Sequence, residues 1–401
     1  MLNVSKIKTD FPIFTKYPDL VYLDSAATSQ TPERVIAAMD SYYRESRGNV
    51  HRGGYALSVR ASELYEASRA EAARFIGAEA DEIIFTAGAT HAMNMLARSL
   101  EDTLLLTKND AIVISVMEHH SVFVTLQELA KRVGCGFRVI PLTVKGELDK
   151  EEAARMIDGR AKIVAVTSVS NVTGMKNDTR FFADRANKAG AIFIVDAAQH
   201  AGHMPISVRE TGADFLFFSG HKMCGPTGTG VLWGKKERLE TLKPGYFGGG
   251  AVAEVTEKDA EFLASPAKFE PGTQNIAGAI GLAEACRHLG EVGMDNIAEH
   301  SRGLARKTIS ALKEIQGVTV YGNEGIVSFS VAGVHAHDVA EILARENIAV
   351  RAGHHCAEPY VHVLGVPAVV RASFYFYNDE ADVEKLVAGV RTAVSLFVNG
   401  E

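Results

Sequence analysis

The sequence has few cysteines, no long apolar run and no surplus of positive charge. Its cysteines are Cys135, Cys224, Cys286 and Cys356. They are widely spaced and form no C-x-x-C pair, which excludes a disulfide framework and a zinc ribbon. No apolar run approaches the ~18 residues that span a bilayer. The stretch from Met1 to Phe14 lacks a continuous apolar segment, so we expect no secretory signal and a cytoplasmic location.

The charge balance is mildly acidic. The chain has 42 Lys+Arg against 49 Asp+Glu, a formal net charge of −7. Nucleic acids and anionic membranes attract basic surfaces, so we expect neither as a partner. A hydrophobic content of 47% over 401 residues excludes disorder as the main state and provides for a large core.

The order of apolar runs predicts an α/β fold. Between about residues 20 and 235, helical patterns separate short β-rich runs at 82–86, 111–116, 162–169, 191–195, 214–218 and 230–233. Continuous apolar strands joined by helices indicate a mostly parallel sheet that is covered on both faces. Beyond about residue 240 the pattern is that of a smaller α+β unit. We predict an N-terminal segment (1–20) that packs with this small domain, a large domain (21–285) and the small C-terminal domain (286–401).

The predicted binding site consists of residues that follow the predicted strands. Ligands in open α/β sheets bind beyond the carboxyl ends of the strands. Small residues at 87–90 open a helix whose free N–H groups suit a phosphate. Asp196 follows a buried strand, where a carboxylate needs a partner such as a protonated pyridine nitrogen. Lys222 follows another buried strand. Desolvation there can deprotonate the lysine amine, which can then form a Schiff base.

Each of these features also has an ordinary explanation, such as a tight turn or a surface lysine. Together, however, they are the set that pyridoxal 5'-phosphate requires. Competing motifs are absent: Gly225–Gly230 has the wrong glycine order for a dinucleotide fingerprint, and there is no P-loop, H-E-x-x-H or EF-hand loop. His119 and His120 would point apart on a helix. We therefore expect no joint metal site at these two histidines.

A second candidate centre lies at 351–357. Cys356 has histidines before it and Arg351 nearby, a setting that can lower a thiol pKa and favour nucleophilic attack. A core cysteine and a His–Cys metal ligand pair are equally compatible with the pattern. His335 and His337 could supply further ligands, but their spacing is too common to indicate a site, and we predict no bound metal.

Several stretches, taken in order, resemble the group II (SUF-type) cysteine desulfurases, which are fold-type I pyridoxal-phosphate enzymes among the class V aminotransferase relatives. The matching stretches are 22–28, 49–53, 85–90, 118–121, 169–172, 218–222, 225–228, 269–273, 351–357 and 371–374. The R-x-G-H-H-C-A segment at 351–357 is typical of this group. The resemblance implies a seven-stranded, mostly parallel sheet between helices.

The resemblance also implies roles for individual residues. Lys222 would hold the cofactor as a Schiff base and move the Cα proton, His119 would stack on the ring, and Cys356 would attack the substrate sulfur. The other implied cofactor-binding residues are Thr90, Asp196, Gln199, Ser219, His221 and, toward the partner of a homodimer, Thr273. The implied substrate-binding and entrance residues are Asn171, Arg371, Arg351, His51 and Arg52.

The implied reaction converts L-cysteine to L-alanine and leaves a persulfide on Cys356. A sulfur-acceptor protein of iron–sulfur cluster assembly would then receive the sulfur. Three alternatives stay open: a selenocysteine lyase that acts on L-selenocysteine, a kynureninase-like or epimerase relative in which Cys356 is structural, and a non-catalytic binding protein.

Overall fold

A computed structural model describes residues 2–51, 53–322 and 325–399. Its centre is a seven-stranded sheet, in the spatial order Ile83–Thr86, Gly230–Gly234, Phe215–Ser219, Ile192–Asp196, Ala161–Thr167, Ala111–Ser115 and Gly136–Ile140. Gly230–Gly234 pairs antiparallel with both of its neighbours, and the other pairings are parallel. This architecture confirms the predicted α/β fold.

Five of the seven strands are buried at every residue because helices cover both faces of the sheet. The edge strand Gly136–Ile140 is only partly buried and contains Arg138. In Ile192–Asp196, Phe193 and Val195 belong to one hydrophobic cluster, and Ile192 and Ile194 belong to another. Successive side chains of a strand point to opposite faces, so the two clusters are the cores above and below the sheet. Every residue of this strand is buried.

Helices connect and cover the strands. The α-helices before residue 250 are Val4–Lys8, Pro12–Lys16, Glu33–Glu45, Ala56–Ile76, Ala89–Leu104, His120–Val133, Lys150–Met156, Thr179–Ala189, Val208–Thr211 and Lys236–Thr241. Those after it are Ile276–Val292, Met294–Lys313, Ala336–Arg345, Glu358–Val363 and Glu380–Val394. Short 3-10 turns lie at Ala80–Glu82, Gly220–Lys222 and Ala267–Phe269, and a π-helical turn lies at Ser395–Asn399.

The C-terminal part forms a four-stranded antiparallel sheet in the order Val318–Val320, Ile326–Val331, Val369–Ser373 and Arg351–Gly353. A third hydrophobic cluster lies between this sheet and its helices. The remaining strands form two separate pairs. Val21–Tyr22 pairs parallel with Ile348–Ala349, and Val252–Val255 pairs antiparallel with Ala260–Phe262. The predicted domain boundary at 285/286 falls inside the helix Ile276–Val292, and the division into domains stays a prediction.

Within the described ranges, no helix is both long and apolar enough to cross a bilayer.

A buried ion pair fixes the segment that precedes Thr273. Both terminal nitrogens of Arg69 donate to the carboxylate of Glu270, at 2.7 and 2.8 Å. Both side chains are almost fully buried, 3% and 4% exposed. The Glu270 carboxylate also accepts hydrogen bonds from the Phe85 backbone N–H and the Tyr65 hydroxyl. Every acceptor direction of the carboxylate is thus used.

Replacing Arg69 with methionine should lower the free energy of unfolding by about 3–5 kcal/mol, because Glu270 would keep a buried charge without its counter-ion. Urea denaturation measures the change. Arg345→Met is the matched control: Arg345 and Glu341 are 74% and 65% exposed, and such surface pairs contribute little. Equal midpoints for the two variants would show that the buried pair does not stabilise the fold.

Candidate active site

A cavity of about 240 Å³ lies where three strands of the large sheet end. Thr167, Asp196 and Ser219 are the last residues of these strands and line it. Most of the predicted site residues also line it: Thr90, His119, Asn171, Asp196, Gln199, Ser219, His221, Lys222, Arg351, Cys356 and Arg371. Thr273 and His51 instead line a separate cavity of about 580 Å³, and Arg52 lies outside the described residues.

One end of the cavity is formed by the N-terminus of the helix Ala89–Leu104. The backbone N–H of Ala89 donates to Ser219 Oγ at 2.8 Å. Gly88, the N-cap, has φ 137°, and a Cβ there would lie 3.2 Å from Ser219 Oγ. Only glycine adopts this backbone conformation readily. The first turn of the helix therefore presents N–H groups and Thr90 to the cavity, and Ser219 at the end of the neighbouring strand lies beside them, a favourable arrangement for an anion.

Lys222 and Asp196 bring opposite charges to the same cavity. Lys222 ends the short turn Gly220–Lys222 that follows the strand Phe215–Ser219. Burial of its amine lowers its pKa to about 8, although Asp196 acts in the opposite direction. Burial raises the pKa of Asp196, while the Ala198 N–H, which donates to the carboxylate at 2.8 Å, and the Lys222 charge lower it. The amine is therefore much easier to deprotonate than an ordinary lysine.

His119 is held as a neutral ring against the cavity. It caps the helix His120–Val133, where Nδ1 accepts the backbone N–H of Ser121 at 3.1 Å. Burial lowers its pKa to about 3, with a further contribution from the Lys222 charge. As the sequence predicted, the adjacent histidine points elsewhere: His120 Nε2 accepts the backbone N–H of Glu358.

Gln199 carries an unpaired buried oxygen at the cavity. Its Nε2 donates to the Ala26 carbonyl at 2.7 Å, and its Oε1 is buried without a hydrogen-bond partner. Buried polar atoms are usually paired. This oxygen can accept a hydrogen bond from a bound molecule, and an exchange of the two amide ends would present a donor instead.

Arg371 is a buried cation with spare hydrogen-bonding capacity. Its side chain is 2% exposed, Nη1 donates to the Asn171 carbonyl at 2.7 Å, and Nε has no partner. Burial lowers its pKa to about 10, whereas the Asp24 carboxylate acts to raise it. Asp24 also lies 3.3 Å from Arg351 Nε, so one carboxylate serves two guanidinium groups. The net positive charge favours an anionic ligand.

Cys356 reaches the cavity from the C-terminal part on a strained turn. His355 and Cys356 have φ of 54° and 56°, consecutive left-handed conformations that cost energy in residues other than glycine. Two residues that follow strands of the large sheet hold this turn: Asn171 Nδ2 donates to the His355 carbonyl at 2.6 Å, and the His120 N–H donates to the Cys356 carbonyl at 2.7 Å. The cysteine is exposed, so its thiol is accessible to a ligand.

Two members of the site were not predicted from the sequence. His355 lines the cavity, and Asp24 pairs with both arginines. The available signals were the stretches 22–28 and 351–357, which contain them, but no local pattern assigns either a role. Cys224, two residues after Lys222 in the chain, is fully buried and is not among the residues that line the cavity. Burial raises its pKa to about 12.

Comparisons with known proteins identify the family of this chain. Residues 21–386 match the aminotransferase class-V family. A probable cysteine desulfurase of Halalkalibacterium halodurans is 45% identical, with 99% of each chain covered. One from Staphylococcus aureus is 43% identical, with 98% of each chain covered.

Solved structures give the same result. A cysteine desulfurase of Thermococcus onnurineus superposes with a TM-score of 0.94 at 40% identity, covering 100% of this chain and 99% of that one. A cysteine desulfurase of Escherichia coli superposes with a TM-score of 0.92 at 37% identity, covering 99% and 100% of the two chains. Similarity of this extent, over the full length, confirms the resemblance at the level of the family. The chain belongs to the class-V aminotransferase family and, within it, to the cysteine desulfurases.

Proposed function

We propose that this protein is a pyridoxal-phosphate-dependent cysteine desulfurase that converts L-cysteine to L-alanine and retains the sulfur as a persulfide on Cys356. One observation carries the proposal. Lys222, an amine with a lowered pKa, and Cys356, an accessible thiol on a different part of the chain, line the same cavity. An imine-forming lysine and a nucleophilic thiol are the two covalent groups that the reaction needs.

The residues at the cavity suit pyridoxal phosphate. The helix N-terminus with Thr90, Ser219 and His221 would hold the phosphate, and the Gly88 backbone leaves room for it. Asp196 would pair with the protonated ring nitrogen, and Gln199 would use its free amide end on the ring oxygen. Lys222 would bind the cofactor covalently, and the neutral His119 ring would stack on it. When bound, the cofactor would supply an electron sink for charge that develops at the substrate Cα.

Arg371 would bind the substrate carboxylate through its unpaired Nε, with Asn171 beside it and Arg351 at the more exposed side of the cavity. An α-carboxylate would complete the hydrogen bonding of a buried guanidinium that Asp24 neutralises only in part. We place His51 and Arg52 at the entrance to the assembled site. These assignments fix the orientation of the amino acid, so that its sulfur faces the C-terminal turn.

Lys222 and Cys356 would then act in successive steps of the reaction. The Lys222 amine, released from the cofactor when substrate binds, would take the Cα proton. The Cys356 thiolate would attack the substrate sulfur, so that an S–S bond forms, the C–S bond breaks and its electron pair returns to the carbon. That carbon takes up a proton to become the alanine methyl group, and the protonated Lys222 would return a proton to Cα. One cysteine and one protein thiol thus become one alanine and one persulfide.

We further propose a homodimer and an acceptor protein. Thr273 lines a cavity separate from that of Lys222, so its implied contact with cofactor phosphate requires a second copy of the chain. The exposed Cys356 would pass its outer sulfur to an acceptor thiol in iron–sulfur cluster assembly. Exposure of the nucleophile supports this transfer, because a persulfide must be accessible to be attacked.

The decisive experiment measures three quantities in one sample: visible absorbance, alanine formation and sulfur bound to the Cys356 peptide. The purified protein, incubated with pyridoxal phosphate, should absorb near about 420 nm, as a lysine-bound cofactor does. Addition of L-cysteine should then produce alanine, and mass spectrometry should find one added sulfur on the Cys356 peptide. A protein that stays colourless contradicts the cofactor assignment, and alanine without sulfur on Cys356 contradicts the persulfide.

A further inference from the structure

Three potential metal ligands surround Cys356 in the chain but lie outside the residues that line the Lys222 cavity. They are His354, Glu358 and His362. His354 Nδ1 lies 3.9 Å from Glu358 Oε1, and His362 Nε2 lies 3.8 Å from the same oxygen. One ligand atom from each residue lies within 4.8 Å of the other two. The three side chains therefore converge on one point.

The surrounding hydrogen bonds orient this cluster for a cation. His354 Nε2 lies 2.6 Å from the Pro367 carbonyl oxygen. A carbonyl only accepts, so Nε2 carries the proton and Nδ1 keeps a lone pair on the side of Glu358. Metal-binding histidines are typically fixed in this manner by a carbonyl or carboxylate on the second nitrogen. The Glu358 backbone N–H donates to His120 Nε2, which fixes the start of the helix that carries the other two ligands.

We propose that His354, Glu358 and His362 form a Zn²⁺ site with a fourth position open to water. Two imidazoles and one carboxylate are a common zinc ligand set, and bonds of about 2.0–2.2 Å in a tetrahedron place ligand atoms about 3.4 Å apart. The observed separations need only a small side-chain rotation to close to that value. Side-chain exposures of 39%, 49% and 61% leave a path for the ion from solvent.

The sequence pattern did not predict this site, and the reason is geometric. The ligands recur at every fourth residue, but the first lies in an irregular turn and only Glu358 and His362 share the helix Glu358–Val363. Helical periodicity alone could not place His354 beside them. The turn through the left-handed residues His355 and Cys356 brings His354 onto the helix face.

Zinc bound here would tie together the two ends of the turn that presents Cys356, since ligands precede and follow it. The free energy of binding would stabilise the strained backbone at φ 54° and 56°. Amide hydrogen exchange across residues 354–362 should therefore slow when zinc is bound. The relevance of this to catalysis rests on the proposed function, but the binding itself does not.

The test titrates the full-length, cofactor-loaded protein, first dialysed against a chelator, with Zn²⁺ by calorimetry and with Co²⁺ by visible absorption. One equivalent of either ion should bind, and cobalt should show the bands of a four-coordinate site. His362→Ala and Glu358→Gln should each weaken zinc binding at least about tenfold, since loss even of an outer-shell partner has that effect. They should also abolish the zinc-dependent slowing of amide exchange.

Two further variants make the assignment specific. His337→Ala removes an exposed histidine that stacks on His335, with ring centroids 5.2 Å apart, and should bind zinc like the wild type. Cys356→Ser should also keep the site, because the thiol is not a ligand. The proposal is overturned if the wild type binds no zinc, if Cys356→Ser or His337→Ala loses it, or if His362→Ala and Glu358→Gln both retain it. None of these readouts depends on cysteine turnover.

Discussion

Replacing Cys356 with alanine should reduce the turnover of L-cysteine by at least about a thousandfold, with no sulfur retained on the protein. Loss of a covalent nucleophile has effects of this size or larger because no neighbouring group can form the same bond. Alanine keeps the Cβ, so the left-handed backbone at this position gains no freedom and the turn has no reason to change. The measurement is the rate of alanine formation, together with the 420 nm band as a check that the cofactor site is intact.

Cys135→Ala is the control for this variant. Cys135 is partly buried and does not line the cavity, so its loss removes a thiol but no predicted function. It should leave turnover unchanged. If Cys356→Ala forms alanine at the wild-type rate while Cys135→Ala does the same, the sulfur leaves without the thiol and the persulfide mechanism is wrong.

The same variant separates cysteine from selenocysteine chemistry. Selenium is a better leaving atom than sulfur, so a selenocysteine lyase could release it without a thiol nucleophile. We expect Cys356→Ala to lose activity on L-cysteine and to keep a larger fraction of any activity on L-selenocysteine. Wild-type preference for L-selenocysteine, with cysteine turnover absent, would favour the lyase over the desulfurase.

The large sheet could be predicted because its strands are buried on both faces. The apolar run at 191–195 matches the strand Ile192–Asp196, and the other runs in the large domain match within about two residues at each end. The rule that ligands bind at the carboxyl ends of strands then located Asp196 and Lys222 without any knowledge of side-chain contacts. Burial on both faces thus made six of the seven strands predictable from apolar runs, whereas the partly buried edge strand Gly136–Ile140 was not among the predicted runs.

The part of the site that depends on long-range contacts could not be derived from local patterns. Asp24 meets Arg371 and Arg351 only after the N-terminal strand Val21–Tyr22 pairs with Ile348–Ala349. Local sequence patterns did not decide whether Cys356 is a nucleophile, a core residue or a metal ligand, because its exposure depends on a turn that a hydrogen bond from Asn171 holds in place. The resemblance, rather than periodicity, assigned its role.

Replacing Lys222 with alanine should abolish covalent attachment of pyridoxal phosphate and reduce turnover by at least about a thousandfold. An amine of pKa about 8 is about half uncharged at pH 8, whereas an unperturbed lysine is uncharged to less than about one per cent. Only the uncharged amine attacks an aldehyde. In the wild type the rate of attachment should therefore rise with pH up to about 8 and level off above it, measured by growth of the 420 nm band in cofactor-free protein.

The variant Lys222→Arg tests whether Lys222 acts as a nucleophile or only supplies a positive charge. Arginine supplies a cation near Asp196 but cannot be deprotonated in a protein, so this variant should be as inactive as Lys222→Ala and should form no covalent link. Small amines added to Lys222→Ala should restore part of the turnover if the lysine also moves the Cα proton. Lys176→Ala, outside the cavity, should behave like the wild type. Undiminished turnover in both Lys222 variants would mean that this amine takes no part in the reaction, and that the low pKa reflects burial alone.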